Sequence, residues 1–362
     1  NIVVKKFILI TVFVLFSSVS FAEISIDWKW GKVYNSIVLV SGENIAEISG
    51  PNTIDPNTLP HEEKEPKFDS LKPRIIPYGM GTGFFINKFH IVTNYHVIKN
   101  FNKLSIYAFN HLFPITDVTI IGYDAEIDIA VLQINEDIPH DFLKWSDDAP
   151  LIGEDVYALG HGMSQVWSLT KGILSYDYRQ NPGTSFVHYI QTDAVINSGN
   201  SGGPLMNEDG EVIGVSTLLI SPDKYYVGYG YVIPTPLVKR AVSQILATGE
   251  HIKPFMGILM GHTEDRALYE ELKEDGINHY LEIKEVTKDS PANRFGLKAG
   301  DIIISMDDKD IQVVPQVIEL LWERNPGDQI SFKLYRNNEY ITVDMVLGTA
   351  KKEPLAITTD PK

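Results

Sequence analysis

The sequence contains no cysteine among its 362 residues, which excludes disulfide bonds, thiol catalysis and zinc sites built on cysteine. Basic residues are also scarce, since 31 Lys and Arg stand against 47 Asp and Glu, a formal net charge of −16. Phosphate binding needs basic stripes, and their absence argues against nucleic acid as a partner. The apolar fraction of 44% is that of a globular protein, and the length suits two domains.

A stretch long enough to span a membrane is lacking, because the longest apolar run, from Phe7 to Phe16, falls short of about 20 residues. Lys5 and Lys6 precede this run, and small residues and the tripeptide Ser20-Phe21-Ala22 follow it. This order is typical of a secretory signal peptide over residues 1–22. Two interpretations stay open: cleavage after Ala22, or an uncleaved membrane anchor. Both predict export from the cytoplasm.

The next part of the chain is rich in short β-branched segments. Residues 33–40 predict a first strand, and residues 41–77, which carry six prolines, predict a long loop. From Gly79 to Ile233, short apolar segments alternate with Gly, Asn, Asp and Pro, which predicts an all-β sandwich or barrel. The segments are 84–86, 91–93, 104–109, 118–122, 129–134, 156–159, 212–217 and 227–233.

A second unit follows the first. Residues 236–248 predict a helix, and residues 251–254 form a linker. The unit at 255–348 has helical patterns at 264–274 and 315–324 with strands around them. We therefore divide the chain into a first domain at 23–250, a second at 251–349 and a flexible tail at 350–362.

Three islands in the β-rich part supply a histidine, an aspartate and a serine. They are Thr93–Val97 with His96, Asp128–Leu132, and Gly199–Pro204 with Ser201. Nucleophilic acyl transfer needs these types: a hydroxyl that attacks, an imidazole that takes its proton, and a carboxylate that orients the imidazole. Alone, each has a structural explanation, as a core histidine, a turn aspartate or a tight glycine turn. Their joint occurrence in one all-β domain favours catalysis.

Gly199 has a mechanistic reason of its own. A tetrahedral intermediate needs two converging backbone N–H groups, and Gly199 and Ser201 are placed to supply them. Glycine accepts a positive φ at little steric cost, whereas a side chain would hinder the turn.

Several stretches resemble the HtrA/DegP family of serine proteases. They are GTGFFI at 81–86, IVTNYHV at 91–97, DIAVLQI at 128–134, QTDAVINSGNSGGPL at 191–205, GEVIGVST at 210–217 and GYGYVIPT at 228–235. The resemblance covers roughly residues 30–349. It implies a mainly β protein, with a trypsin-like double β-barrel whose cleft holds His96 as general base, Asp128 as its orienting carboxylate and Ser201 as nucleophile, without metal or cofactor.

The resemblance also implies a trimer held by N-terminal aromatic residues, for which Trp28, Trp30 and Tyr34 are candidates; ordinary core packing is the alternative. The sequence departs from the family in two places. Leu159-Gly160-His161-Gly162-Met163 stands where the family has a Gly-Asn-Pro-x-Gly segment, and Asn197-Ser198-Gly199 lacks a proline common there. We interpret His161 as a loop residue.

By motif position, the resemblance places Ile196, Leu219 and Tyr229 around the residue before the scissile bond. No carboxylate is among them, so a buried Lys or Arg would be poorly matched, and we expect cleavage after small aliphatic residues. The family also has a regulatory arginine in a loop before the catalytic strand. That loop is 175–188 here and Arg179 is the candidate, with a solvated loop arginine as the alternative.

The second domain resembles a PDZ domain. Phe255-Met256-Gly257-Ile258 fits the loop whose backbone N–H groups hold a peptide carboxylate, and SPANRFGLKAGDIIISMDDKDI at 290–311 fits the central strands. A peptide would add a strand beside the helix at 315–324. Apolar residues around the loop favour hydrophobic C-termini.

The leading hypothesis is a periplasmic serine endopeptidase that degrades unfolded or damaged envelope proteins under stress, as quality control. One alternative is a regulatory protease, anchored in the inner membrane, that cuts one specific partner. Another is a chaperone or peptide-binding adaptor, which the complete set of three catalytic residue types argues against.

Overall fold

The computed structural model describes residues 28–43, 79–148, 150–181, 184–219, 228–263 and 265–350. The predicted signal peptide or anchor at 1–22, most of the predicted loop at 41–77 and the tail after residue 350 lie outside these ranges. Within the described ranges, no helix is both long enough and apolar enough to cross a membrane.

The first six strands form one antiparallel sheet in the order β4-β1-β2-β3-β6-β5. They are β1 (Ile37–Glu43), β2 (Gly79–Phe85), β3 (His90–Thr93), β4 (Lys103–Ala108), β5 (Val118–Asp124) and β6 (Ile129–Ile134). An isolated bridge between Ile106 and Ile115 links β4 to the segment that leads into β5. Fully buried Ile and Val side chains on the inner face hold the sheet together.

Helix α1 (Trp28–Asn35) precedes β1, so the predicted strand at 33–40 is wrong for its first residues. Trp30, Val33 and Tyr34 lie at helical spacing and pack against the cluster between the two sheets. The β-branched residues that suggested a strand begin at Ile37, where β1 does begin. Packing of this apolar helical face on the core therefore favours a helix over residues 28–35.

The next six strands close into a barrel in the order β10-β11-β12-β9-β8-β7. They are β7 (Asp155–Gly160), β8 (Ser168–Asn181), β9 (Thr184–Thr192), β10 (Pro204–Met206), β11 (Val212–Leu219) and β12 (Gly230–Pro234). A short helix α2 (Tyr95–Ile98) follows β3, and α3 (Thr235–Thr248) follows β12 close to its predicted bounds.

The predicted regulatory loop at 175–188 is instead the end of a hairpin. Strands β8 and β9 continue through most of it, with register shifts between Leu174 and Tyr176 and between Tyr176 and Arg179. Such shifts are β-bulges, which interrupt the alternation that a sequence pattern can show. The strand therefore has no regular period in the sequence.

The second unit is a separate small sheet with its own core. Its elements are β13 (Pro254–Phe255), β14 (Ile258–Gly261), α4 (Arg266–Glu274), β15 (Leu281–Val286), α5 (Pro291–Arg294), β16 (Ile302–Met306), β17 (Lys309–Asp310), α6 (Val314–Trp322), β18 (Gln329–Arg336), β19 (Glu339–Val346) and β20 (Gly348–Thr349). The sheet order β14-β15-β16-β18-β19 leaves β14 at an edge. Helices α4 and α6 agree with the predicted helical stretches.

The linker between the two units is fixed to the end of β5. His251 is buried, and its Nδ1 lies 2.6 Å from Asp124 Oδ2. Lys253 Nζ donates to Asp124 Oδ1 at 3.0 Å and also pairs with Glu126. Burial by itself would raise the pKa of Asp124, but the hydrogen bond from His251 and the charge of Lys253 lower that pKa to about 2. The linker is therefore an ordered part of the first domain.

Replacing this buried carboxylate should destabilise the protein. We expect Asp124→Asn to lower the free energy of unfolding by about 3 kcal/mol at pH 7, because the buried His251 loses its carboxylate partner and Lys253 keeps only Glu126. The folded pKa lies below the ordinary value of 3.8, so the stabilisation is complete above about pH 5 and is lost progressively as the pH falls towards 2. The difference between wild type and variant should narrow by about 2 kcal/mol over that window.

Urea unfolding at pH 7, 4 and 3 measures this difference. Asp137→Asn is the matched control, because Asp137 pairs with Lys88 in an exposed position and should change stability by no more than about 1 kcal/mol. A difference between Asp124→Asn and wild type that stays constant down to pH 3 would contradict the assignment.

Helix α6 of the second unit contacts the barrel formed by β7–β12 of the first domain. Trp322 packs against the cluster of the first domain, and Glu319 Oε1 lies 3.5 Å from His188 Nε2 on β9. The His188 ring stacks on Tyr178 of β8 with a centroid distance of 4.5 Å. Burial lowers the pKa of His188 to about 4, so His188 is neutral at pH 7. The contact with Glu319 is therefore polar rather than an ion pair.

Candidate active site

The pairing of β3 with β6 brings His96 and Asp128 together. Thr93 at the end of β3 faces Ala130 near the start of β6, so the residues just outside these strands are neighbours. His96 Nδ1 lies 2.7 Å from Asp128 Oδ2, and the backbone N–H of His96 donates to Asp128 Oδ1 at 2.8 Å. The carboxylate therefore fixes both the position and the orientation of the imidazole.

Asp128 is held in an uncommon backbone conformation. Its φ is 59°, in the left-handed region that Asp and Asn tolerate better than most residues. Its carbonyl accepts hydrogen bonds from Asn94 Nδ2 at 2.8 Å and from the N–H of Tyr95 at 3.2 Å. Residues 94–96 of the histidine island therefore contact both the carbonyl and the carboxylate of Asp128.

Ser201 lies in the tight turn before β10, between the two groups of strands. Its carbonyl accepts from the N–H of Thr82 on β2 at 2.8 Å, and the N–H of Gly202 donates to Ser216 of β11 at 2.8 Å. The Ser201 hydroxyl donates to the carbonyl of Thr217 at 3.3 Å. Among the described residues no hydrogen bond joins Ser201 to His96, a gap that apo sites often show before substrate binds.

Thr217 is a site residue that the sequence reasoning missed. Its hydroxyl donates to Asp128 Oδ2 at 2.6 Å, and its carbonyl accepts from Ser201. One residue therefore contacts both the carboxylate and the nucleophile. It ends the quoted stretch at 210–217, but only the closing of β11 onto the first sheet shows its role.

The N–H groups of Gly199 and Ser201 are available to a ligand. Within the described part of the chain, neither N–H has a hydrogen-bond acceptor. The carbonyl of Ser198 accepts from the N–H of Met163 at 2.7 Å, and the Gly199 N–H of the same planar peptide points the opposite way. Gly199 has a φ of +103°, and a Cβ there would lie 2.3 Å from the carbonyl oxygen of His161.

The structure describes the side chains of two of the three predicted specificity residues, Ile196 and Tyr229. Ile196 is buried in the core of the barrel formed by β7–β12, and a Cβ on Gly230 would lie 2.8 Å from Ile196 Cδ1. Tyr229, beside Gly230, is half exposed. The side chain of Leu219 lies outside the described residues. Ile196 thus supplies an apolar wall beneath Gly230.

Arg179 is an exposed residue of β8 rather than of a loop. Its Nε donates to Gln191 Oε1 on β9 at 2.8 Å, and its guanidinium lies 4.0 Å from the centroid of the Tyr176 ring. These contacts tie it to the hairpin. The regulatory role that the resemblance implies for Arg179 stays a prediction.

His161 lies outside the helices and strands, as the sequence predicts for a loop residue, but it is not exposed to solvent. It follows β7, is fully buried, and lies with its Nδ1 3.0 Å from Thr82 Oγ1. Burial lowers the pKa of His161 to about 3, so the ring is neutral at pH 7. Its surroundings belong to the turn that carries Gly199.

In the second unit, the predicted carboxylate-binding residues form a turn at the edge of the sheet. Gly257 has a φ of +84°, and a Cβ there would lie 2.2 Å from Ser290 Cβ. The carbonyls of Met256 and Gly257 accept from Ala292 and Thr287. Among the described residues, the N–H groups of Met256 and Gly257 have no acceptor. Phe255 and Ile258 flank this turn on β13 and β14.

The described ranges contain no group of three or more His, Asp or Glu side chains that could hold a metal ion.

Comparison with known families supports two domains. Residues 81–215 match the trypsin-like peptidase domain, and residues 254–347 match the PDZ domain. The Serine protease Do-like HtrA of Bacillus subtilis is 34% identical over 295 residues, which cover 76% of this chain and 65% of the relative. A probable periplasmic serine endoprotease, DegP-like, of Chlamydia pneumoniae is 32% identical over 286 residues, covering 78% of this chain and 57% of the relative.

The chain is therefore HtrA-like. It has a trypsin-like peptidase domain followed by a PDZ domain, and the relatives that it resembles are named DegP-like and Do-like HtrA serine proteases. The mainly β fold that the sequence predicts is confirmed. This HtrA-like chain spans between about half and two thirds of the length of the curated relatives it matches.

Solved structures agree with this fold. The HtrA-type protease AlgW with decapeptide superposes on the HtrA-like chain with a TM-score of 0.70 at 24% identity, covering 90% of this chain and 98% of that one. The serine endoprotease from Yersinia pestis gives a TM-score of 0.60 at 25% identity, covering 91% and 100%.

Proposed function

We propose that this HtrA-like chain is a serine endopeptidase whose catalytic residues are His96, Asp128 and Ser201. The observation that carries the proposal is the Asp128 carboxylate, which accepts hydrogen bonds from His96 and from Thr217. A carboxylate that accepts a hydrogen bond from the Nδ1–H of His96 keeps the proton on Nδ1 and leaves Nε2 of the ring as a base. Thr217, which donates to the same carboxylate, also accepts the hydrogen bond from the Ser201 hydroxyl.

The reaction follows from this arrangement. Ser201 Oγ forms a bond to the scissile carbonyl carbon while its proton moves to His96 Nε2. The carbonyl oxygen becomes an oxyanion, which the N–H groups of Gly199 and Ser201 stabilise. His96 then gives the proton to the leaving amine as the C–N bond breaks, and water hydrolyses the acyl-enzyme by the same steps.

The first step requires a small motion of one side chain. The Ser201 hydroxyl donates to the carbonyl of Thr217 at a long distance of 3.3 Å, and in the first step it must donate to His96 instead. A hydrogen bond of that length is weak. We therefore propose that substrate binding completes the contact between nucleophile and base.

We further propose cleavage after small aliphatic residues. The wall formed by Ile196 is apolar, and Leu219 and Tyr229 bring no charge. A cationic side chain would lose its hydration there without a partner, at a cost of several kcal/mol. A peptide library read by mass spectrometry should show Val, Ala or Ile before the cut bond. A profile dominated by Lys or Arg would contradict this pocket.

For the PDZ domain we propose recognition of hydrophobic peptide C-termini at Phe255, Met256, Gly257 and Ile258. The free N–H groups of that turn suit a carboxylate, and β14 is an edge strand to which a peptide can add. The neighbouring AlgW structures contain a tripeptide and a decapeptide.

The proposed substrates are unfolded or damaged proteins of the cell envelope, and the proposed location is the periplasm, with an inner-membrane anchor if residues 1–22 remain uncleaved. Relatives named periplasmic endoproteases support this location. A trimer through α1 is also proposed; within the chain, Trp30 packs on Tyr157 and Tyr34 on Phe109, at centroid distances of 4.7 and 5.5 Å. The side chain of Trp28 lies outside the described residues.

The contact of α6 with β9 favours the regulatory alternative as a second candidate. Glu319 and Trp322 of α6 reach the first domain, while Val317 and Leu320 of the same helix pack in the PDZ core. A peptide bound between α6 and β14 would therefore contact a helix that also contacts the β8–β9 hairpin of the protease domain. The partner protein would be one that ends in a hydrophobic residue.

Digestion of unfolded casein tests the main proposal. We expect cleavage by the purified protein, with products mapped by mass spectrometry, and faster cleavage when hydrophobic C-terminal peptides are added if the regulatory candidate holds. Absence of cleavage both with and without such peptides would contradict the endopeptidase and favour a peptide-binding adaptor.

A further inference from the structure

The turn that carries the free N–H of Gly199 is supported from behind by His161. Thr82 lies between them: its Oγ1 donates to the carbonyl of Gly199 at 2.7 Å. The same Oγ1 lies 3.0 Å from His161 Nδ1 and 3.2 Å from the backbone nitrogen of His161. All of these atoms belong to buried or half-buried groups, so water does not compete for them.

Counting protons fixes the state of the imidazole. A hydroxyl has one proton, and that of Thr82 goes to the Gly199 carbonyl, which cannot donate. The backbone N–H of His161 can only donate. The remaining contact, between Nδ1 and Thr82 Oγ1, therefore needs a proton on Nδ1. His161 is thus a neutral ring that donates from Nδ1 and has its lone pair on Nε2.

The ring of His161 also contacts Trp167. The two rings are edge to face with a centroid distance of 5.1 Å, and His161 Nε2 and Trp167 Nε1 are both buried without a partner among the described residues. One of these atoms only accepts and the other only donates. The edge-to-face contact with the indole restricts the plane of the imidazole, and an unpartnered Nε2 is compatible with the tautomer that Thr82 requires.

The segment 161–163 also sets the peptide before Gly199. Met163 donates to the Ser198 carbonyl at 2.7 Å, and the carbonyl of His161 lies against Gly199. The carbonyls on both sides of Gly199 are therefore fixed, one directly by this segment and the other through Thr82. With both carbonyls turned away, the Gly199 N–H points to the substrate side.

We infer that His161 is a positioning residue for the oxyanion hole, acting through the Thr82 hydroxyl on the carbonyl of Gly199. The inference rests on the proposed endopeptidase function and adds to it a residue that touches neither substrate nor nucleophile. An oxyanion hole is effective because its donors are fixed before charge develops. Loss of the support should therefore lower kcat and leave KM unchanged.

Substitutions at position 161 separate this role from packing. His161→Leu fills much of the space without a donor, whereas His161→Asn places an amide N–H near the position of Nδ1. On a casein-derived peptide that the wild type cleaves, we expect kcat to fall about 10- to 100-fold in His161→Leu, less than the 100- to 1000-fold loss typical of a missing donor. KM should stay within about twofold, and His161→Asn should recover most of kcat.

The other end of the hydrogen-bond chain gives the same contrast. Thr82→Val should resemble His161→Leu, Thr82→Ser should resemble wild type, and the double variant His161→Leu/Thr82→Val should lose no more than either single one. Affinity for a peptide aldehyde, which forms a tetrahedral adduct with Ser201, should fall in parallel with kcat/KM. His140→Leu is the control, because His140 packs on Phe85 outside the site and should leave kcat unchanged.

A second readout does not depend on activity. Nitrogen NMR of histidine-labelled protein should show His161 protonated at Nδ1 and not titrating between pH 5 and 8. A proton on Nε2 would overturn the inference even in an active enzyme, as would equal losses of kcat in the Leu and Asn variants. If the wild type cleaves no substrate, the proposed function fails, and the NMR result still decides the hydrogen-bond chain.

Discussion

Ser201→Ala is expected to abolish cleavage of unfolded casein, with kcat reduced by about 10⁶-fold. The substitution removes the hydroxyl oxygen of Ser201 and leaves no side-chain nucleophile at position 201. The Ser201 backbone, which accepts from Thr82 and supplies an oxyanion N–H, is unchanged. Binding and the oxyanion hole therefore remain, but without a nucleophile no acyl-enzyme forms.

The fold should tolerate this substitution. The side chain of Ser201 is half-buried, and its one hydrogen bond, to Thr217, is long, so the urea midpoint should match that of wild type. Ser105→Ala, on β4 of the same domain, is the matched control and should keep full activity. A Ser201→Ala preparation that cleaves within tenfold of the wild-type rate, after the two proteins are purified side by side, would contradict Ser201 as nucleophile.

The sequence predicted the residues whose chemistry is local and missed those whose role depends on contacts between strands. His96, Asp128 and Ser201 each stand in a short motif, and the paired strands β3 and β6 bring the first two within hydrogen-bond distance. Thr217 is one of many threonines in strands. Only the approach of β11 to Asp128 distinguishes it, and no periodicity reports that approach.

His161 is a second residue whose surroundings could not be predicted from the sequence. In the sequence it is a departure from a family pattern, flanked by glycines, and the sequence favours a loop residue over a catalytic one without indicating that the ring is buried. In the structure, glycines at 160 and 162 lie against Asn200, where a Cβ would come within 3 Å of Asn200 Oδ1. The close approach of two turns therefore buries the ring, and the glycines that suggested a loop are what permits that approach.

The errors in secondary structure have the same origin. Residues 33–35 favour a strand by composition but complete helix α1, because Trp30, Val33 and Tyr34 pack together as one helical face. Residues of the β8–β9 hairpin lack a regular alternation because bulges reset it near Arg179. The sheet of β1–β6 and the barrel of β7–β12 were themselves predictable as β-rich, since most of their strands carry short β-branched runs bounded by turn residues.

Asp128→Asn is expected to lower kcat by about 10⁴-fold while the protein stays folded. Asn is close to Asp in shape and also tolerates the left-handed φ of 59°. The hydrogen bonds from Asn94 Nδ2 and from the N–H of Tyr95 to the carbonyl of residue 128 do not involve the side chain of residue 128. The structural cost should therefore be small, and the loss should come from the chemistry.

The reason lies in the direction of three hydrogen bonds. In the wild type, the carboxylate accepts from the N–H of His96, from His96 Nδ1 and from the hydroxyl of Thr217. Asn has one acceptor oxygen, and if that oxygen keeps the bond to the His96 N–H, an NH₂ group faces Nδ1. The imidazole must then accept at Nδ1 and carry its proton on Nε2. That tautomer cannot take the proton of Ser201.

Steady-state kinetics on a cleaved casein peptide measures the effect, with kcat falling and KM nearly unchanged. Asp137→Asn, an exposed aspartate of the same domain, is the control and should retain wild-type kcat. Nitrogen NMR of His96 should show its proton on Nδ1 in the wild type and on Nε2 in the variant. A loss below tenfold, or an unchanged tautomer, would mean that Asp128 only supports the turn, and the base at His96 would then need another orienting group.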